Sequence, residues 1–284
     1  MKNNTYSATT IETRSKEAVS QDEWHHHNGR SDIYVALKRP DIWIALGWHD
    51  IKQRYRRSIL GPFWFTISTM IMVGVLGFLY STLLNQRIAD YLPYLGVGLI
   101  IWQFISTCIN EGCTGFISSA YIVKQIRMPL TVHICRIACR NFIILLHSLP
   151  VVIILMLFFG TFPKVEFLLL FPGLVILFLN SVWICLVLSV LCARYRDVLP
   201  IVGNILQVAF FFTPIMWQKN LLKGREWAAD FNPFYHLIEI IRAPILGHPI
   251  NIESWVSSVL CLIIGFAISQ LLMIRYRERI PYWL

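Results

Sequence analysis

Long stretches of this chain carry no Asp, Glu, Lys or Arg, and they recur along its length. The first runs from Ser58 to Gln86. Others cover 91–123, broken by Glu111 alone, then 141–163, 167–193, 198–218 and 254–274. A helix crosses a hydrocarbon core with roughly 20 mostly apolar residues. The pattern therefore predicts an all-α integral membrane protein with six transmembrane helices. Composition agrees: 56% of residues are hydrophobic and 14% charged, against about 25% charged in soluble domains. Mean hydropathy is positive. A soluble fold would have to bury six very long helices within 284 residues, which the base rates of globular structure oppose.

The formal charge of +9 has a plain origin in such a protein, because Lys and Arg gather on the cytoplasmic side of a span. With the N-terminus inside, the cytoplasmic pieces are 1–60, 118–140, 192–198 and 275–284, and they hold nineteen of the 25 Lys and Arg residues. An even number of spans with both termini cytoplasmic follows, and nothing calls for nucleic acid. The first 30 residues have no apolar core and do not read as a cleavable signal. Residues 1–31 are polar and read as a disordered cytoplasmic tail, with His25, His26 and His27 as a solvated run.

Residues 32–57 read as an amphipathic interface helix. Pro40 and Asp41 suit its first turn. Ile44, Trp48, Ile51 and Tyr55 share one face, and His49, Lys52, Gln53 and Arg56 the other. The basic cluster Lys52, Arg54, Arg56 and Arg57 then meets the first span, where a membrane-surface anchor is expected. The transmembrane domain occupies 58–284. Between the second and third spans lies "YIVKQIRMPL", a basic segment whose Lys124 to Pro129 predicts a short helix on the cytoplasmic side. The last outside loop, 218–253, is too apolar for a linker. Asn232-Pro233 reads as an N-cap with proline in the first turn. Phe234, Leu237, Ile238 and Ile241 follow as a stripe, with Glu239 and Arg242 three apart and a stop at Pro244 and Gly247. Short re-entrant helices packed on the spans are expected there.

No catalytic constellation stands out. The phosphate-binding loop of ATPases is absent, so this chain is expected to bind no cofactor of its own. The seven cysteines form no ligand pattern and read as small buried side chains rather than a metal site. Two features remain. Glu111, beside Asn110, places an ionisable group in a span, which marks a functional position or a hydrogen-bonded structural one. Aromatics cluster at Trp64, Phe65 and Tyr80 in the first span and at Phe210, Phe211, Phe212 and Trp217 in the fifth. Such faces can stack on sugar rings or form a membrane aromatic belt.

"RYRRSILGPFW" resembles the RY-x-x-S-x-LG-x-x-W signature of bacterial ABC-type polysaccharide export permeases. "LPYLGVGLIIWQFIS", "YIVKQIRMPL", "RYRDV" and "FFFTPIMW…FNPFYHLIEIIRAPILG" resemble that family's later landmarks, in order, over about residues 32–280. The likeness is nearest to the O-antigen exporter permeases of the Wzm type, and teichoic-acid export permeases share the landmarks. The polar extension before residue 31 is not part of the pattern. The resemblance implies a half-transporter of the bacterial inner membrane. It implies a second copy of the chain and two copies of a separate ATPase that binds ATP and magnesium. The implied cargo is an undecaprenyl-linked polysaccharide. It also implies that the interface helix and Lys124, Gln125, Ile126, Arg127, Met128 and Pro129 meet the ATPase, and that Asn232, Pro233, Phe234, Glu239 and Arg242 belong to an outer gate. Rival readings are a capsule or teichoic-acid exporter, a drug or lipid efflux permease, and a membrane-embedded glycan-modifying enzyme.

Overall fold

The computed structural model describes residues 32–56, 63–126, 128–159 and 165–284, with the Phe65 side chain left out. The tail 1–31, Arg57, Arg127 and the Phe65 side chain thus lie outside the described residues.

Proline breaks the expected interface helix in two, α1 (Asp32–Lys38) and α2 (Pro40–Tyr55), because a residue before proline avoids the helical region and Arg39 sits at ψ 62°. Next come α3 (Phe63–Leu83) and α4 (Ile88–Cys113), the short α5 (Gly115–Ser118) and α6 (Ala120–Gln125), and α7 (Leu130–Phe158). A 3-10 turn, Val165–Leu169, leads into α8 (Leu170–Arg194), followed by α9 (Val198–Phe212). A second 3-10 turn, Lys219–Leu222, precedes α10 (Trp227–Asp230), α11 (Pro233–Leu246), α12 (Ile252–Tyr276) and α13 (Ile280–Trp283). No strand occurs among the described residues.

Among the described residues, five helices are long and apolar enough to cross a membrane: α3, α4, α7, α8 and α12. The expected fifth span differs. Its helix, α9, has 15 residues, about 22 Å at 1.5 Å per residue. It stops at Phe212 because Thr213 turns extended (ψ 137°) ahead of Pro214, the conformation that proline demands of its predecessor. Residues 213–218 carry the chain onward without a helix.

The bundle is built around α4, which packs against α3, α7, α8, α9 and α11. It meets α8 through small residues. A Cβ on Gly112 would come within 2.8 Å of the Cys185 backbone, so only glycine permits this approach. Across the same seam Cys185 Sγ donates to the Cys108 carbonyl (3.0 Å) and Ser189 Oγ to that of Gly112. Small residues that bring backbones together and bond across helices are the usual adhesive between spans, where no hydrophobic force separates helix from lipid.

α11 is a buried plug rather than a surface helix. Asn232 accepts from the Phe234 N–H, Pro233 opens the first turn and Gly247 closes the helix at φ 66°. Residues 235–238 and 240–245 are all buried, between α4, α8 and α12. A Cβ on Gly173 of α8 would strike the Ile240 carbonyl at 2.9 Å. At the opposite end of the bundle, α1 and α2 lie against α7. Fully buried Asp32 accepts from the Leu130 and Thr131 N–H groups and the Thr131 hydroxyl. It therefore caps α7 from another helix, and it also pairs with Arg277 at 3.1 Å.

Candidate functional site

A groove of ≈ 420 Å³ opens between α3, α4 and α9. Its floor is one stripe of α4, Gln103, Ser106 and Asn110, spaced three and four apart and so on one helix face. Thr69 of α3 and Gln207 of α9 face it, with Trp102, Phe210 and Phe211 as its aromatic part. Among the described residues, no ionisable side chain lines it. The amides bond along their own helix, Gln103 to the Thr107 hydroxyl (3.3 Å) and Asn110 to the Ser106 carbonyl (2.9 Å). Such a surface offers weak hydrogen bonding and flat apolar faces, with no charge to trap what moves along it.

The aromatics divide. Phe210 packs on Trp102 (ring centroids 5.7 Å) and on Phe211 (5.2 Å). Phe210 and Phe211 line the groove and Phe212 does not, as the 100° turn between consecutive helical residues requires. Trp217 lies beyond the helix and donates from Nε1 to the Phe211 carbonyl (3.0 Å). Tyr80 is half-buried in the core and Trp64 is 61% exposed, and neither lines the groove. Trp102 was not singled out from sequence, although "IWQFIS" sets it beside Gln103 in an apolar run.

At the α11 end of the groove the non-helical peptide is held by side chains. Tyr91 donates to the Met216 carbonyl (2.5 Å), and Tyr94 to those of Pro214 (3.2 Å) and Trp217 (3.1 Å). Arg242 Nη1 donates to Pro214 (2.8 Å), while Nε and Nη2 both bond Glu239 Oε2 (3.0 and 2.7 Å). The guanidinium lies 4.0 Å from the Tyr94 ring centre. Asn232 bonds the Thr213 hydroxyl (2.9 Å), and Phe234 stands edge-on to Trp102 at 5.5 Å. Irregular backbone at membrane depth is tolerated only where protein or a water-filled path satisfies it, and these donors do so. Tyr91 and Tyr94, three apart in "YLPYLG", form one face that sequence reasoning passed over.

Of the two readings of Glu111, its bonds fit the structural one: it lies in the last turn of α4 and does not line the groove. Arg54 (2.8 Å) and Arg140 reach its two oxygens, and Asn141 adds a third bond (2.6 Å). Asp50 of α2 continues the network to Arg136 and Arg140, each at 3.1 Å. Two acids and three arginines thus hold α2 on α4 and α7. On α2, Gly47 and Ile51 are buried against the bundle, while Ile44 and Trp48 are exposed. Lys52 lies over the Trp48 ring at 5.8 Å. Arg56 is exposed.

The basic segment differs in register from its expectation. Its helix is α6, ending at Gln125. Ile126 is extended, and Met128 and Pro129 are not helical. Pro129 instead occupies the N-cap position of α7. Lys124, Gln125 and Ile126 are exposed and Met128 is half-buried.

An apolar helical bundle with an uncharged polar groove cut into its side is built as a multi-pass membrane transport protein. The chain belongs to the ABC-2 type transporter family, whose family model matches residues 42–246. It is similar to two O-antigen export system permease proteins RfbA of Klebsiella pneumoniae, at 21% and 23% identity, each match covering 84% of this chain and 94% of the relative. It is also similar to the protein of that name in Myxococcus xanthus, at 25% identity over 73% of this chain and 81% of the relative.

Proposed function

We propose that this chain is the membrane subunit of an ABC exporter that moves a polysaccharide, in the first place an O-antigen on a polyprenyl diphosphate carrier, across the bacterial inner membrane. The observation that carries the reading is the groove. Gln103 and Asn110 are exposed in the most buried of the spans, in a family of transporters. Polar groups at such positions face a bundle interior or a water-filled path rather than lipid. Amides, hydroxyls and aromatic faces match a hydroxyl-rich chain with flat apolar ring faces. The names of the relatives point the same way. A second copy of the chain closes the open side of the groove into a channel, and two ATPase subunits supply the energy from the cytoplasmic side, at α2 and α6. The α11 end is the outer end, and α9 with residues 213–218 makes the sixth crossing.

Deletion of the gene tests the proposal. Surface polysaccharide is expected to disappear, carrier-linked polymer to accumulate inside, and plasmid-borne wild type to restore display. Unchanged surface polysaccharide in the deletion strain overturns it.

A further inference from the structure

A second cavity, of ≈ 460 Å³, lies at the α11 end and shares no residue with the groove. Small-molecule sites occupy about 300–1,000 Å³. We propose that this cavity is a binding site for a neutral sugar unit, formed by Tyr94, Gln218, Tyr235, Glu239, Arg242 and His248. The inference rests on the polysaccharide reading and adds to it a saccharide site outside the groove.

Charge excludes the obvious rival. Among the described lining residues, Lys219 and Arg242 are each paired, with Asp230 and Glu239, and Glu226 lines the cavity beside the exposed His248. With no surplus of positive charge, phosphate or another anion is a poor match. What the cavity offers is a mixture of donors and acceptors. Both Arg242 bonds to Glu239 fall on Oε2, which leaves Oε1 as an acceptor. Gln218 gives its amide hydrogen to Gln86 and keeps a carbonyl oxygen. Tyr235 adds a phenol, which both donates and accepts. Hydroxyl groups are the ligands that use both roles at adjacent positions. Tyr94, Tyr235 and Arg242 are all buried, so these groups are held in place before a ligand arrives, which reduces the entropy lost on binding. Tyr94 and Arg242 also hold the Pro214 carbonyl, so an occupant touches two of the side chains that pin the non-helical peptide.

The test uses the full-length protein in nanodiscs and an end-labelled oligosaccharide of neutral sugars, cut from the surface polysaccharide of the parent strain. Tyr235→Phe and Glu239→Gln are each expected to raise the Kd at least tenfold, and His248→Ala at the exposed rim about threefold, with no displacement by inorganic pyrophosphate. If Glu239→Gln does not fold, Tyr235→Phe, which removes one hydroxyl, carries the measurement with His248→Ala. Wild-type affinity in the folded variants, no binding by wild type, or displacement by pyrophosphate overturns the site. If the deletion strain has meanwhile lost its surface polysaccharide, the transport reading survives that failure. A deletion strain that keeps its polysaccharide removes the transport reading, and the site with it.

Discussion

Arg242 is 1% exposed and carries a full charge, yet every face of its guanidinium is used: Glu239 at one edge, the Pro214 carbonyl at the other and the Tyr94 ring on the flat side. Removing one member of a buried ion pair costs about 3–5 kcal/mol because the other is stranded. Arg242→Met is therefore expected to lower the melting temperature of the purified protein sharply, and Glu239→Gln in the same chain to recover part of the loss. Equal melting curves for wild type and Arg242→Met remove that account. The consecutive phenylalanines separate packing from transport. Phe210→Ala and Phe211→Ala are expected to reduce surface polysaccharide several-fold at normal protein abundance, whereas Phe212→Leu retains it. Full display in all three leaves the aromatics as a membrane belt only. Helical geometry made it legible in advance that the three could not share a direction. That Trp102 joins them was not, because its partners, Phe210 and Phe234, are far away in sequence and meet it only in the packed bundle.

The elements read most clearly were those with local signals. Asn232-Pro233 and Gly247 delimited α11, since capping and proline preferences act within one turn. The apolar runs predicted the long spans for the same reason. Long-range pairing hid the rest. Asp50 shows no local sign of its partners, Arg136 and Arg140, which α7 brings to it. Asp32 shows no local sign that it caps α7, ninety-eight residues away. The helix expected at Lys124 to Pro129 lies instead at α6, with an extended exit that presents Lys124 to Ile126. Lys124→Glu combined with Arg127→Glu is expected to reduce recovery of the ATPase with the tagged permease, or to leave ATP hydrolysis running without export. Normal assembly together with normal export in that variant excludes this segment from coupling.

For the whole molecule, the proposed orientation sets α2 and α6 at the cytoplasmic face and α11 at the outer face. On a cysteine-free background, Lys223→Cys and His248→Cys are expected to react with an impermeant maleimide in intact spheroplasts, and Tyr121→Cys only after lysis. The reverse pattern inverts the topology. The plug helix α11 also constrains how the protein is made. At 14 residues it is shorter than the roughly 20 that span a bilayer, and it carries Glu239 and Arg242. An arginine at the centre of a nascent helix costs about 2.5–3.5 kcal/mol on insertion, so in the proposed orientation the segment is expected to pass to the outer side with its flanking loop and to dock once α4, α8 and α12 have formed the socket that buries it. In that orientation biogenesis ends with a step taken from outside the membrane, and a chain whose socket is malformed is expected to leave an apolar helix open to the proteases of that compartment.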